Sequence, residues 1–163
     1  AAGAIPRIKD IGPDPGLISD ALLGVVAQRL VRRICPHCAE PTQPNPDLLA
    51  LLQLDAAQIK KGNWRRGRGC PSCFQSGYSG REAVVEMLEV DDRIRELIYE
   101  GTMTQLRRYL SKSDFISFRT SAIEKVMAGV TTVEEVLRVL PRSSLKLTSA
   151  AEPEPLHLVQ RLG

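Results

Sequence analysis

RRICPHCAEP (residues 32–41) and GRGCPSCFQSGYSGR (residues 67–81) contain all four cysteines of the chain, arranged as two CxxC pairs. Pro36 and Pro71 follow the first cysteine of each pair, so the two turns are alike. A CxxC turn presents two sulfurs at the bite a tetrahedral metal needs, and two such turns complete a four-thiolate shell. Cys35, Cys38, Cys70 and Cys73 are therefore the candidate metal ligands, with zinc as the metal. A rubredoxin-like iron centre would use the same ligands, and sequence does not separate the two. Disulfides fit less well, because no apolar signal segment opens the chain: Arg7, Lys9 and Asp10 interrupt it at once. A redox CxxC is usually single and opens a helix in a βαβ unit. Haem attachment needs His after the second cysteine, where Ala39 and Phe74 stand. His37 lies between two residues that already point sulfur at the metal and reads as exposed. Four thiolates leave no open position for water, so the predicted role is structural and not catalytic.

Working outward, VVAQRLVRRI (25–34) is β-branched and partly alternating, which predicts a strand running straight into Cys35. Thirty-one residues separate Cys38 from Cys70. Within them DLLALLQLDAAQIKKG predicts one or two short helices, held as an insert clamped at its base by the metal. SGYSG (76–80) predicts a tight turn and REAVVEMLEV (81–90) a second strand. Upstream, Ala4, Ile5 and Ile8 share a helical face that Gly12 ends. Asp14 then caps a helix whose first position is Pro15 and whose apolar stripe is Leu17, Ile18, Ala21 and Leu22.

Downstream of Asp91 the period is helical. Four helices are predicted, bearing in turn Ile94, Leu97 and Ile98; Met103, Leu106 and Leu110; Phe118, Ala122, Ile123 and Val126; and Val133, Val136, Leu137 and Leu140. The last opens on Thr131-Thr132-Val133-Glu134-Glu135, two overlapping capping boxes. Short loops suggest one group of antiparallel neighbours. Residues 141–163 are expected to be a disordered tail, with LHLVQRLG a short docking segment.

The net charge is +3, too small to imply a nucleic-acid or membrane partner by itself. Residues 1–80 carry ten Lys/Arg against six Asp/Glu, and residues 81–140 carry nine against eleven. The basic surplus thus sits with the cysteines. Nearby cations, with Arg32, Arg33, Arg65, Arg66, Arg68 and Arg81 close in sequence, and backbone N–H groups are expected to offset the charge of a tetrathiolate centre, while a solvated basic loop is an equal reading for Arg65, Arg66 and Arg68. Aromatic residues make up 4% of the chain, too few for base-stacking platforms, and no nucleic-acid partner is expected. No GxxxxGK[ST], HExxH, GxSxG or GxGxxG occurs. The chain opens on Ala1 and not Met, and AAGAIPRIKDIG reads as the continuation of a longer polypeptide.

AQRLVRRICPHC, GCPSC, GYSGR and VVEMLEVDDRIRELI, in this order and at these spacings, resemble the C-terminal part of the secretion ATPases, the hexameric motors of type II secretion and type IV pilus assembly. The resemblance runs over about residues 1–140. The chain departs from the family at Glu82-Ala83-Val84-Val85, where Gly and an aromatic often follow the GR pair, at Ser76 for Thr, and at Pro6. The resemblance implies an α+β, mostly α chain in three parts: the end of a RecA-like ATPase domain (1–34), a zinc-bound insert (35–81), and a strand with the helical group (82–140). It also implies that Cys35, Cys38, Cys70 and Cys73 bind zinc. ATP and Mg²⁺ would be bound only by upstream Walker motifs of the intact protein. The implied partners are the rest of the motor hexamer and an inner-membrane platform protein, with a cytoplasmic location at the inner-membrane face. Gln28 and Arg29 match a recurrent QRL, read here as structural. Two other readings stand beside this one: a stand-alone zinc-stabilised interaction module, and a nucleic-acid-binding zinc module using Arg65, Arg66 and Arg68.

Overall fold

A computed structural model describes residues 1, 3–113 and 115–145. Its spine is a two-stranded antiparallel ribbon of β1 (Gly24–Ile34) and β4 (Tyr78–Glu89), in register from Gly24 opposite Glu89 to Arg32 opposite Arg81. The expected turn at residues 76–80 is shorter than predicted, because Tyr78 already belongs to β4. The register shifts between Arg32 and Ile34, opposite Gly80, whose φ of +76° suits a residue without Cβ. The second sheet is small: β2 (Ala39–Pro41) pairs antiparallel with β3 (Arg65–Gly67).

Side-chain alternation gives the ribbon two faces. One carries Val31, Val84 and Leu88 into the interior. The other leaves Val26, Leu30 and Met87 exposed.

The interior is divided between two clusters. Near the cysteines, Val31 and Val84 pack with Leu49 and Leu52 from the insert and with Phe118, Ala122, Val126, Val133, Val136, Leu140 and Leu145. These come from α3 (Pro46–Leu51) and its C-cap, α7 (Phe118–Met127), α8 (Val133–Val139) and its C-cap, and α9 (Arg142–Leu145). At the other end, Leu88 and Val90 pack with Ile5, Ile18, Ile94, Leu97, Ile98, Leu106 and Leu110. The helices there are α1 (Ala4–Asp10), α2 (Pro15–Ala21), α5 (Asp92–Tyr99) and α6 (Met103–Leu110). The C-terminal helices thus form not one group but two pairs, each closing a different part of the ribbon.

Helix starts follow the polar caps. Asp14 Oδ1 accepts from the Gly16 N–H at 2.8 Å, with Pro15 in the first turn. Asp91 Oδ1 accepts from Ile94 N–H at 2.7 Å, while its other oxygen accepts from the Tyr109 hydroxyl at 2.7 Å and ties α5 to α6. Thr102 and Gln105 form a reciprocal box. α2 departs from its predicted stripe: Leu17 and Ala21 are exposed and Ser19 is buried. The polar Ser19 is accommodated because its hydroxyl donates to the Arg95 carbonyl at 3.1 Å and its own carbonyl accepts from Arg95 Nη1 at 2.5 Å.

The insert, expected to be clamped at its base by the metal, is also packed into the core. Its second helix, α4 (Ala56–Lys61), buries no residue, but α3 is built into the main core. Arg119 Nη2 on α7 donates to the carbonyls of Leu52 and Gln53 at 2.8 and 3.0 Å, closing the C-terminal end of α3. At the other end of α7, Asn63 N–H donates to the Met127 carbonyl at 2.7 Å. The expected tail also begins later than predicted, since Leu145 is buried in the core; residues 146–163, with LHLVQRLG, lie outside the described residues.

Candidate metal centre

The strand character of residues 25–34 delivers Cys35 at the end of β1, and the turn after it brings Cys38 round to β2. The second pair follows β3 as a single 3-10 turn, Pro71–Cys73. Both turns repeat the same bond: Cys38 N–H donates to the Cys35 carbonyl and Cys73 N–H to the Cys70 carbonyl. They meet because Arg68 N–H donates to the Cys38 carbonyl at 3.0 Å and Cys35 N–H to the Gly77 carbonyl at 2.9 Å. Gly67 runs so close to Gly77 that a Cβ would collide with the Gly77 carbonyl oxygen. Phe74 and Gln75 take left-handed conformations, with φ of 51° and 62°, to close the second turn.

The four sulfurs lie within 4.8 Å of one another. Cys35–Cys70, Cys38–Cys73 and Cys70–Cys73 Sγ separations are 3.9, 3.8 and 3.6 Å. A tetrahedron with metal–sulfur bonds of about 2.3 Å has edges of about 3.8 Å, so the sulfurs fit a zinc-sized ion at their centre. They are too far apart for S–S bonds. This is a set that can hold a metal. His37 is exposed and stands outside it.

Of the two expected kinds of partner, backbone N–H groups and arginines, the structure brings the first to sulfur. Cys73 Sγ accepts from the backbone N–H groups of Cys70 and Gly77, each at 3.3 Å. Burial by itself raises the Cys73 thiol, but these two donors and the neighbouring thiols of Cys70 and Cys38 outweigh it and bring it down to about 6. Cys38 goes the other way, to about 12, through burial and the sharing of protons with Cys70, Cys73 and Cys35, against a single Gly69 N–H. The backbone, not the arginines, thus provides the donors to sulfur. Arg32 faces Glu135, Arg66 pairs with Glu40 at 2.9 Å, and Arg65 Nη2 donates to the Ala39 carbonyl at 3.1 Å. Carboxylates and carbonyls within reach thus occupy three of the six guanidinium groups that lie near the cysteines in sequence.

Sequence reasoning also missed Glu135. It was read as part of a capping box, yet only the Thr132 half forms: Thr132 Oγ1 accepts from Glu135 N–H at 3.2 Å. The Glu135 carboxylate is fully buried and accepts from Arg32 N–H, from Arg32 Nε and Nη2, and from Arg138 Nε and Nη2, at 2.6–3.0 Å. Burial pushes its pKa up, and the two guanidinium groups more than reverse this, leaving it at about 2. Arg32 in turn stacks 4.2 Å from the centre of the Tyr78 ring.

With this geometry in view, comparison with known proteins identifies the class. A family model described as "Type II/IV secretion system protein" matches residues 1–138, and the chain belongs to that family. It is 41% identical over 138 residues to a type IV pilus assembly ATPase, PilB, of Thermus thermophilus, covering 84% of this chain and 16% of that protein. It is 44% identical over 139 residues to type II secretion system protein E of Pseudomonas aeruginosa, covering 85% and 27%. Against the type II secretion system ATPase E of Vibrio cholerae it is 40% identical over 143 residues, covering 88% and 28%. The chain therefore spans between about a sixth and just over a quarter of the length of these relatives. Among the described residues, no helix is long and apolar enough to cross a membrane.

Proposed function

We propose that this chain is the C-terminal part of a hexameric ATPase motor that powers pilus or pseudopilus assembly, and that Cys35, Cys38, Cys70 and Cys73 bind one structural zinc ion. The observation that carries this reading is the coincidence of a family match over residues 1–138 with four sulfurs gathered at tetrahedral spacing. Residues 1–34 end a RecA-like ATPase domain, residues 35–81 form the zinc-held insert, and residues 82–140 pack the whole against the motor. The exposed apolar face at Val26, Leu30 and Met87 suits a ribbon that continues into a larger body. ATP and Mg²⁺ are bound by the intact protein outside this chain. The partners are the other subunits of the hexamer and an inner-membrane platform protein at the cytoplasmic face of the membrane.

The residues of the chain hold the metal and do not react through it. Zinc, when bound, supplies a cross-link between two turns and leaves no open coordination position. The Cys70 and Gly77 N–H groups hold negative charge at Cys73 Sγ, and Gly67 and Gly77 let the two turns approach.

Purified reduced protein is expected to contain one zinc per chain by elemental analysis and to hydrolyse no ATP. Metal-free folded protein would overturn the zinc assignment, and ATP hydrolysis by the pure chain would overturn the placement of the active site outside it.

A further inference from the structure

Both cysteine turns are mounted on the start of α8, through contacts that span 103 positions on the first side and 54 on the second. On the first side, Arg32 is held at both backbone groups. Its N–H donates to Glu135 Oε1 at 3.0 Å, and its carbonyl accepts from the Thr131 hydroxyl at 2.8 Å. Two residues on, Ile34 N–H donates to the Val130 carbonyl at 2.9 Å. The edge of β1 that leads into Cys35 is therefore paired with residues 130–135 where a third strand would otherwise lie. On the second side, the Tyr78 hydroxyl and Thr132 Oγ1 share a hydrogen bond at 2.9 Å, and Tyr78 follows directly on Gly77, the residue whose N–H reaches Cys73 Sγ. The Arg32 guanidinium lies over the Tyr78 ring and joins the two sides.

A carboxylate buried to 0% exposure is costly unless fully paired, and simple packing of α8 would be met by an apolar residue. Three of the five donors on Glu135 are the main-chain N–H and the guanidinium of Arg32, three residues before the first sulfur, and the other two come from Arg138 on α8 itself. That is more than α8 needs for its own capping, since Thr132 already caps it.

We propose that Glu135, with Thr131, is a positioning residue of the metal centre: it fixes the strand that presents Cys35 and thereby sets the affinity and geometry of the four-sulfur site. The proposal rests on the metal reading above. Groups that orient ligands from outside a metal site change affinity by roughly 10–100-fold when removed.

The test uses the 163-residue chain and three variants: Glu135→Gln, Thr131→Val and, as a control for stability alone, Val136→Ala, which removes a buried methyl pair one residue along α8. Zinc affinity is read by competition with a chromophoric chelator, and site geometry by the ligand-field bands of the cobalt(II)-loaded protein. Glu135→Gln is expected to weaken zinc binding at least tenfold and to shift the cobalt bands, and Thr131→Val to do so more weakly; Val136→Ala, in the core that the metal helps to hold, is expected to lower Tm, to cost less zinc affinity than Glu135→Gln at equal loss of Tm, and to keep the parent's cobalt bands. If Glu135→Gln does not fold, Thr131→Val decides alone. Unchanged affinity and bands in the folded variants would overturn the proposal, as would an equal loss of affinity in Val136→Ala at matched Tm. Failure of the parent chain to bind zinc would instead remove the metal reading on which the proposal stands.

Discussion

The two ends of the β1–β4 ribbon are closed by different physics. The end at Leu88 and Val90 is apolar packing between four short, well-capped helices, with the Ser19–Arg95 pair as its main buried polar feature. The end at Val31 and Val84 also has an apolar core, but it is joined to a four-sulfur cluster and a buried carboxylate that accepts from two arginines. Burial is insensitive to pH and to chelators, whereas thiolates and buried ion pairs are not. On the metal reading, one end of the chain responds to chelators and the other does not, and each expected outcome below can break that contrast.

The largest effect is expected from metal removal. Structural zinc contributes on the order of 10 kcal/mol to small metal-held folds. Cys70→Ser, or a strong chelator, should release the insert and loosen α7 and α8, because Leu49 and Leu52 belong to their core. The far end should keep its helices. Hydrogen exchange resolves the two: protection lost evenly across α5 and α6 as well would show that the ends are one cooperative unit.

Next comes Gly67→Ala. Its Cβ would meet the Gly77 carbonyl, so the second turn cannot stay where Cys73 joins the cluster. The expected result is loss of metal binding with α5 and α6 intact by the same exchange measurement; normal metal content would mean that the two turns have slack.

Ile98→Ala tests the other half. Truncation of a fully buried isoleucine costs about 2–5 kcal/mol. Denaturant unfolding should show that loss, and zinc affinity should not move; a change in affinity would deny the separation.

Glu135 supplies a smaller and pH-dependent term. Its pKa is about 2 in the folded protein, below the ordinary carboxylate value of 4.5. The stabilisation, on the order of 3 kcal/mol, is thus fully present above about pH 4.5 and is lost as pH falls toward 2. The unfolding free energy of the parent minus that of Glu135→Gln, both measured without metal so that acid release of metal does not enter, should shrink across that interval. A difference independent of pH would show that the carboxylate is not held ionised by Arg32 and Arg138.

Smallest is the cap at Thr102. Replacement by Ala should cost about 1 kcal/mol in denaturant unfolding without effect on the metal. A cost near zero would place α6 under tertiary control alone.

What could be read from the sequence was local. The two CxxC turns, the strand into Cys35, the caps at Asp14 and Thr132, and the apolar residues of α5 to α8 each depend on residues within a few positions. The division of the helices between two cores did not show, because apolar residues at helical spacing tell that a helix packs but not against which end of the ribbon. The Arg32–Glu135 pairing spans 103 positions and competes with two nearer options, thiolate for the arginine and a capping box for the glutamate. Burial of Glu135 decided the matter, since a carboxylate in the interior needs the charged donors that Arg32, itself exposed, and Arg138 supply. The docking of α3 had a signal in Leu48, Leu49, Leu51 and Leu52, more apolar residues than an isolated arm needs, of which Leu49 and Leu52 are buried.

The central claim is that four thiolates hold one end of this ribbon through a single metal ion. X-ray absorption at the zinc edge of the purified chain addresses it directly. The account predicts one zinc per chain with four sulfur neighbours at about 2.3 Å. Nitrogen or oxygen in the first coordination sphere, or folded protein without metal, would contradict it.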